Sequence, residues 1–167
     1  MPSAINQHQR IVIDLIPNIG LKDISFGMCR NEVRKIMNEI YGEDKFVLRS
    51  KETDCYYKNS LQFTYEDNDT LTFIETAPPP PIYVTLLGIS TWEIPGTKLL
   101  NMLSEFDSIN LKISEIGGDP IFQNTHISLW GLDAQYDQIG NYEEPKWGSI
   151  GIGDDRYYRK IISIYNV

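Results

Sequence analysis

The sequence predicts an α+β fold: antiparallel sheet, as one body or two, with one helix packed on it per half. Three observations predict it. Val33, Ile36, Met37 and Ile40 recur at helical spacing. Short segments on either side alternate apolar and polar residues, as half-buried antiparallel strands do. A run of four prolines at 78–81 divides the chain into stretches 11–76 and 82–167, each with one helical stripe. That division is compatible with a tandem repeat, although direct identity between the halves is weak.

The elements follow in order. Residues 11–15 read as a short strand and 17–20 as a turn. The helix spans 30–40; Glu32 stands in the capping-box place three residues after Cys29, and Gly42 is placed to end it. Residues 46–48, 53–58, 61–65 and 71–76 form a meander, with turns at 58–59 and 66–69. Four consecutive prolines favour polyproline II and cannot lie in a central strand, so 78–81 reads as a stiff joint. Residues 82–90 read as a strand. A second helix covers 96–106, on the stripe Leu99, Met102, Leu103 and Phe106. Residues 110–116 alternate and read as a strand. Strand character continues over 122–132, with Ile127 and Leu129 on one face and His126, Ser128 and Trp130 on the other. Residues 133–148 read as a long loop, 149–153 as a strand, and 157–165 as either a strand or a short helix.

Charge narrows the function classes. The 167 residues carry 15 Lys+Arg against 23 Asp+Glu, a net charge of -8. No basic run exceeds the pairs Arg34-Lys35 and Arg159-Lys160, which disfavours nucleic acid and anionic membranes as partners. No stretch approaches the ~20 apolar residues of a membrane span. No signal peptide is read at the N-terminus, and two cysteines, Cys29 and Cys55, make no disulfide scaffold, so the expected compartment is the cytoplasm.

The segment Ile24-Ser25-Phe26-Gly27-Met28-Cys29-Arg30-Asn31-Glu32-Val33, followed by hairpins, resembles the Gly-Met-(Ser/Thr)-x-x-x-Val helix start of BamE-type lipoprotein domains. Two helix-plus-sheet units in tandem are similar to the layout of the β-lactamase inhibitory proteins. Small bacterial immunity-type proteins carry a similar Phe-Gly-Met. The resemblance covers about a quarter of the chain. It implies a binding or inhibitory scaffold without catalysis and assigns no binding residue, because the motif concerns folding: Gly27 allows a tight turn and Met28 plugs the core. Cys29 stands where that pattern has Ser or Thr, and a thiol is a poor cap acceptor. No lipoprotein signal is read, so an outer-membrane role is not implied.

Candidate chemistry is dispersed. His8 and His126 lack the spacing of a metal site, and no cofactor motif is present. Cys29 near a helix start, with His126 as base, would make a nucleophilic pair if the fold joined them. Residues 148–153, Gly-Ser-Ile-Gly-Ile-Gly, superficially look like a phosphate loop, but Asp154-Asp155 follows and would repel phosphate; they read as a turn or bulged strand. The acid clusters Glu66-Asp67-Asp69, Asp133/Asp137, Glu143-Glu144 and Asp154-Asp155 do not follow calcium-loop grammar. Trp130, Asp133, Tyr136, Asp137, Tyr142, Glu143, Glu144 and Trp147 interleave aromatics with acids, a pattern of interface anchors and steering charge. The alternative is that these aromatics tuck the loop onto the sheet. The expected function is a non-enzymatic protein-binding module, specifically a cytoplasmic immunity or inhibitor protein with a basic partner. The alternatives are an enzyme built from dispersed carboxylates or from Cys29 and His126, and a homo-oligomeric subunit.

Overall fold

The computed structural model describes residues 11–42, 46–78, 82–132 and 145–166. Residues 79–81 of the proline run and 133–144 of the acidic, aromatic loop lie outside them. The chain runs β1 (Ile11–Leu15), α1 (Arg30–Glu39), β2 (Val47–Ser50), β3 (Thr53–Tyr56), β4 (Leu61–Glu66) and β5 (Thr70–Thr76) before the prolines. After them come β6 (Ile82–Leu86), β7 (Ile89–Ser90), α2 (Gly96–Ser104), α3 (Leu111–Glu115), β8 (Ile127–Trp130), β9 (Ser149–Gly153) and α4 (Asp155–Tyr165).

The fold is α+β, as the patterning predicts. The larger sheet has the order β2-β3-β4-β5-β9-β8 and is antiparallel at every pairing. The smaller has the order β1-β6-β7. There the purely antiparallel expectation fails, because β1 and β6 are parallel, with Ile11 opposite Ile82 and Leu15 opposite Leu86. Parallel neighbours need a long crossover, and α1 with four strands supplies it. Both sheets draw strands from each side of the proline run: β1 pairs with β6, and β5 with β9.

Period two puts Phe63, Ile74, Ile152 and Ile127 in one cross-strand row on the core face of the large sheet, all buried. They pack with Ile13, Leu15, Val84 and Leu86 of the small sheet, Val33 and Met37 of α1, and Leu99 and Leu103 of α2. Each such side chain stabilises the fold by about 1.5–3 kcal/mol relative to exposure. The other face carries Phe73 of β5, whose ring stacks on Tyr157 of α4 at 4.0 Å and meets Trp130 edge-on at 5.5 Å. Gly151 and Gly153 of β9 make room: a Cβ on Gly151 would enter the Phe73 ring, and one on Gly153 the Tyr157 ring. The glycines of 149–153 therefore serve aromatic packing within a strand.

Helix α1 shows how a polar anchor complements an apolar stripe. The Cys29 N–H donates to Glu32 Oε2 at 3.1 Å, one arm of the expected capping box, and the bonds from Cys29 hold the Glu32 carboxyl below its usual range. Val33 and Met37 face the core, while Ile40, at the C-cap, is exposed. Arg30 and Arg34, one turn apart, reach down to Asp54 of β3, which is 0% exposed. Arg30 Nη2 donates to Asp54 Oδ1 at 2.7 Å, and Arg34 donates from Nε and Nη2 at 2.8 and 2.9 Å. Arg30 Nη1 also donates to the Lys51 carbonyl and to Asp69. The two guanidiniums lie over the rings of Tyr65 and Phe46.

Two expected strands and one helix boundary change, and the segment left open between strand and helix resolves as helix. Residues 111–115 are helix, not strand: Leu111 and Ile113 suit alternation, but Ile113 and Ile116 suit a helical turn equally. The tie is broken by Asn110, whose side chain caps by accepting from the Ile113 N–H at 3.2 Å. Residues 155–165 are helix because Asp154 caps them, accepting from the Tyr157 N–H at 3.0 Å. The strand expected over 122–132 is regular only in β8, because His126 adopts φ +52° and interrupts it. Helix α2 stops at Ser104, leaving Phe106 exposed beyond its end.

Burial alone would raise the Asp54 carboxyl, but the bonds from Arg34 and Arg30 outweigh it and hold it below the usual range. A carboxylate depressed on folding contributes stability above its unfolded pKa, and that stability is lost as pH falls through the folded value. Asp54→Ala, which strands two guanidiniums, is expected to cost about 3–5 kcal/mol in urea melts at neutral pH. The variant should also lose part of the wild-type decline in stability in acid. A neutral-pH loss under about 1 kcal/mol, the scale of a surface pair, would contradict the assignment.

Candidate functional site

A polar concavity among the described residues lies where the turn before β8 meets the start of α4. It is largely open to solvent, spans about 540 Å³ and is lined by Asn18, Gln123, Asn124, His126, Asp154 and Asp155. Three separate stretches of chain supply these side chains.

Asp107 organises the turn. It follows α2 and is buried. Its Oδ1 accepts from the Ser108 N–H and Asn124 Nδ2, both at 2.7 Å. Its Oδ2 accepts from the Asn124 N–H, the Thr125 N–H and the Thr125 hydroxyl at 2.7–2.9 Å. Burial pushes this carboxyl up, and the bonds from Thr125 and Asn124 outweigh that and hold it low. Gln123 is tied by Nε2 to the Ile109 carbonyl at 3.1 Å. A carboxylate and a carbonyl only accept, so both side-chain amides are oriented without ambiguity: their NH₂ groups are engaged and their oxygens remain to accept.

His126 is 7% exposed. Its ring stacks on Tyr158 of α4 at 4.4 Å, its carbonyl accepts from the Gly153 N–H, and its Nδ1 is sealed from solvent without a partner. The Tyr158 hydroxyl accepts in turn from Asn110 Nδ2. On the opposite side, Asp154 accepts from the Tyr157 N–H through Oδ1 and from Arg156 through Oδ2 at 2.7–2.8 Å. Asp155 is exposed and pairs with Arg159 at 2.5 Å, one turn on. The lining therefore carries oxygen acceptors, with each aspartate paired with an arginine of α4. Asp107 and Asp154 are engaged in structure, and among the described residues no carboxylate is bonded to His126 to orient it as a base.

Of the residues singled out from sequence, Asp133, Tyr136, Asp137, Tyr142, Glu143 and Glu144 lie outside the described residues. Trp147 is 4% exposed: its indole N–H donates to the Gly96 carbonyl at 2.9 Å, while the Gly96 N–H donates to the Pro145 carbonyl. Trp130 is half-buried against Phe73. Both tryptophans thus pin the stems of the loop to the body of the protein. Cys29 and His126 keep separate company, the first with Glu32 and Thr70, the second with Tyr158 and Gly153. Among the described residues no cluster of three or more His, Cys, Asp or Glu is placed to hold a metal ion, and no helix is long and apolar enough to cross a membrane.

Sequence reasoning missed Gln123, Asn124, Asn18 and the organising role of Asp107. Only Asp154-Asp155 and His126 had been noticed, and they were read apart. It also missed Glu75, half-buried and directly opposite Gln62, whose carboxyl burial drives upward against the lowering influence of Ser149 and Arg49. No protein family, curated protein or solved structure matches the chain.

Asp107→Asn is expected to speed hydrogen exchange at the Asn124 and Thr125 amides by roughly tenfold or more, the scale of one charge-assisted bond. Because the Asp107 carboxyl is depressed, wild-type protection there should fall as pH drops through its folded pKa. Equal protection in variant and wild type would refute the role given to Asp107.

Proposed function

We propose that the chain is a non-enzymatic binding module whose partner is a basic protein. The observation that carries this reading is the cleft beside His126, an open concavity lined by acceptor oxygens and two aspartates on a chain of net charge -8. Acceptors and negative charge favour a donor-rich cation and accelerate its encounter through long-range attraction. The most specific form is a cytoplasmic immunity or inhibitor protein covering a basic toxin or enzyme. That form draws on charge and on the Phe-Gly-Met resemblance.

The enzyme reading keeps one specific observation, the half-buried Glu75 carboxyl with its raised pKa beside Ser149. A group of that kind suits a general acid. Among the described residues, however, the cleft is walled by other side chains, so the two features are separate.

Affinity capture from the native host, with wild type beside a Gln123→Lys/Asp155→Lys double variant, tests the binding reading. Wild type should retain a protein of high isoelectric point at low salt and release it as salt rises. The charge-reversed variant should not retain it. Equal retention by both, or retention only of acidic proteins, would overturn the proposal.

A further inference from the structure

We draw no further inference here: the strongest candidate, the small crevice between α3, β8 and α4 lined by Ile113, Ser128, Trp130, Ile161 and Tyr165, carries nothing, because the unpartnered hydroxyl of Ser128 is sealed from solvent and nothing in the structure shows what covers the apolar walls.

Discussion

The contact on which the rest of the structure turns is the seating of Phe73 over Gly151. It is a small fact of shape, the absence of one methyl group on β9, the strand beside the edge strand β8, and it places an aromatic ring on the face of the large sheet that the core does not use. Tyr157 stacks on that ring, which brings α4 down onto β5 and β9. Arg156 then reaches the Thr70 hydroxyl and the Leu71 carbonyl, and Lys160 pairs with Glu66. With α4 so held, Tyr158 meets His126, and Asp154 and Asp155 form one wall of the cleft. Packing on one face of a sheet thereby decides the chemistry at its edge.

The polar interior follows a complementary logic. Asp54 and Asp107 are both buried carboxylates, and each is surrounded by donors: guanidiniums for Asp54, amides and a hydroxyl for Asp107. A buried charge left unpaired is strongly destabilising, whereas a fully bonded one is tolerated and directional. Asp54 uses that direction to fix α1 across the large sheet, and Asp107 uses it to fold the turn at 123–125. Asp155, by contrast, stands exposed, paired with Arg159. The carboxylates that build the fold are thus the buried, fully bonded ones, and Asp155 is not among them.

Much of the architecture was legible in the sequence, and the reasons are particular. Val33 and Met37 recur in a clean helical stripe, and Leu61, Phe63 and Tyr65 alternate with Gln62 and Thr64, so α1 and β4 were readable from periodicity, while β5 carries apolar residues on both faces and was readable from composition. Residues 111–116 were not, because Leu111, Ile113 and Ile116 satisfy both periods and only the Asn110 cap decides. The parallel pairing of β1 with β6 depends on tertiary contact across seventy-odd positions and leaves no local mark. The cleft was almost invisible for the same reason. Its residues come from positions 18, 123–126 and 154–155, and its organiser, Asp107, acts on amides 17 and 18 residues away. His126 was noticed but read as a strand residue, since nothing in composition foretells its positive φ or its stack on Tyr158. Trp130 and Trp147, which drew attention as aromatic anchors, are engaged by Phe73 and Gly96.

The aromatic seat of α4 shapes the cleft. Nuclear magnetic resonance of a Tyr157→Leu variant tests it most directly, because leucine keeps an apolar contact with Phe73 while removing the ring stack. The account predicts shifts that spread from Phe73 to the His126 ring, the Asn124 side-chain amide and the Asp155 backbone, with Arg34 and Asp54 on the far anchor unmoved. Changes confined to the immediate neighbours of residue 157, with the His126 ring undisturbed, would contradict it.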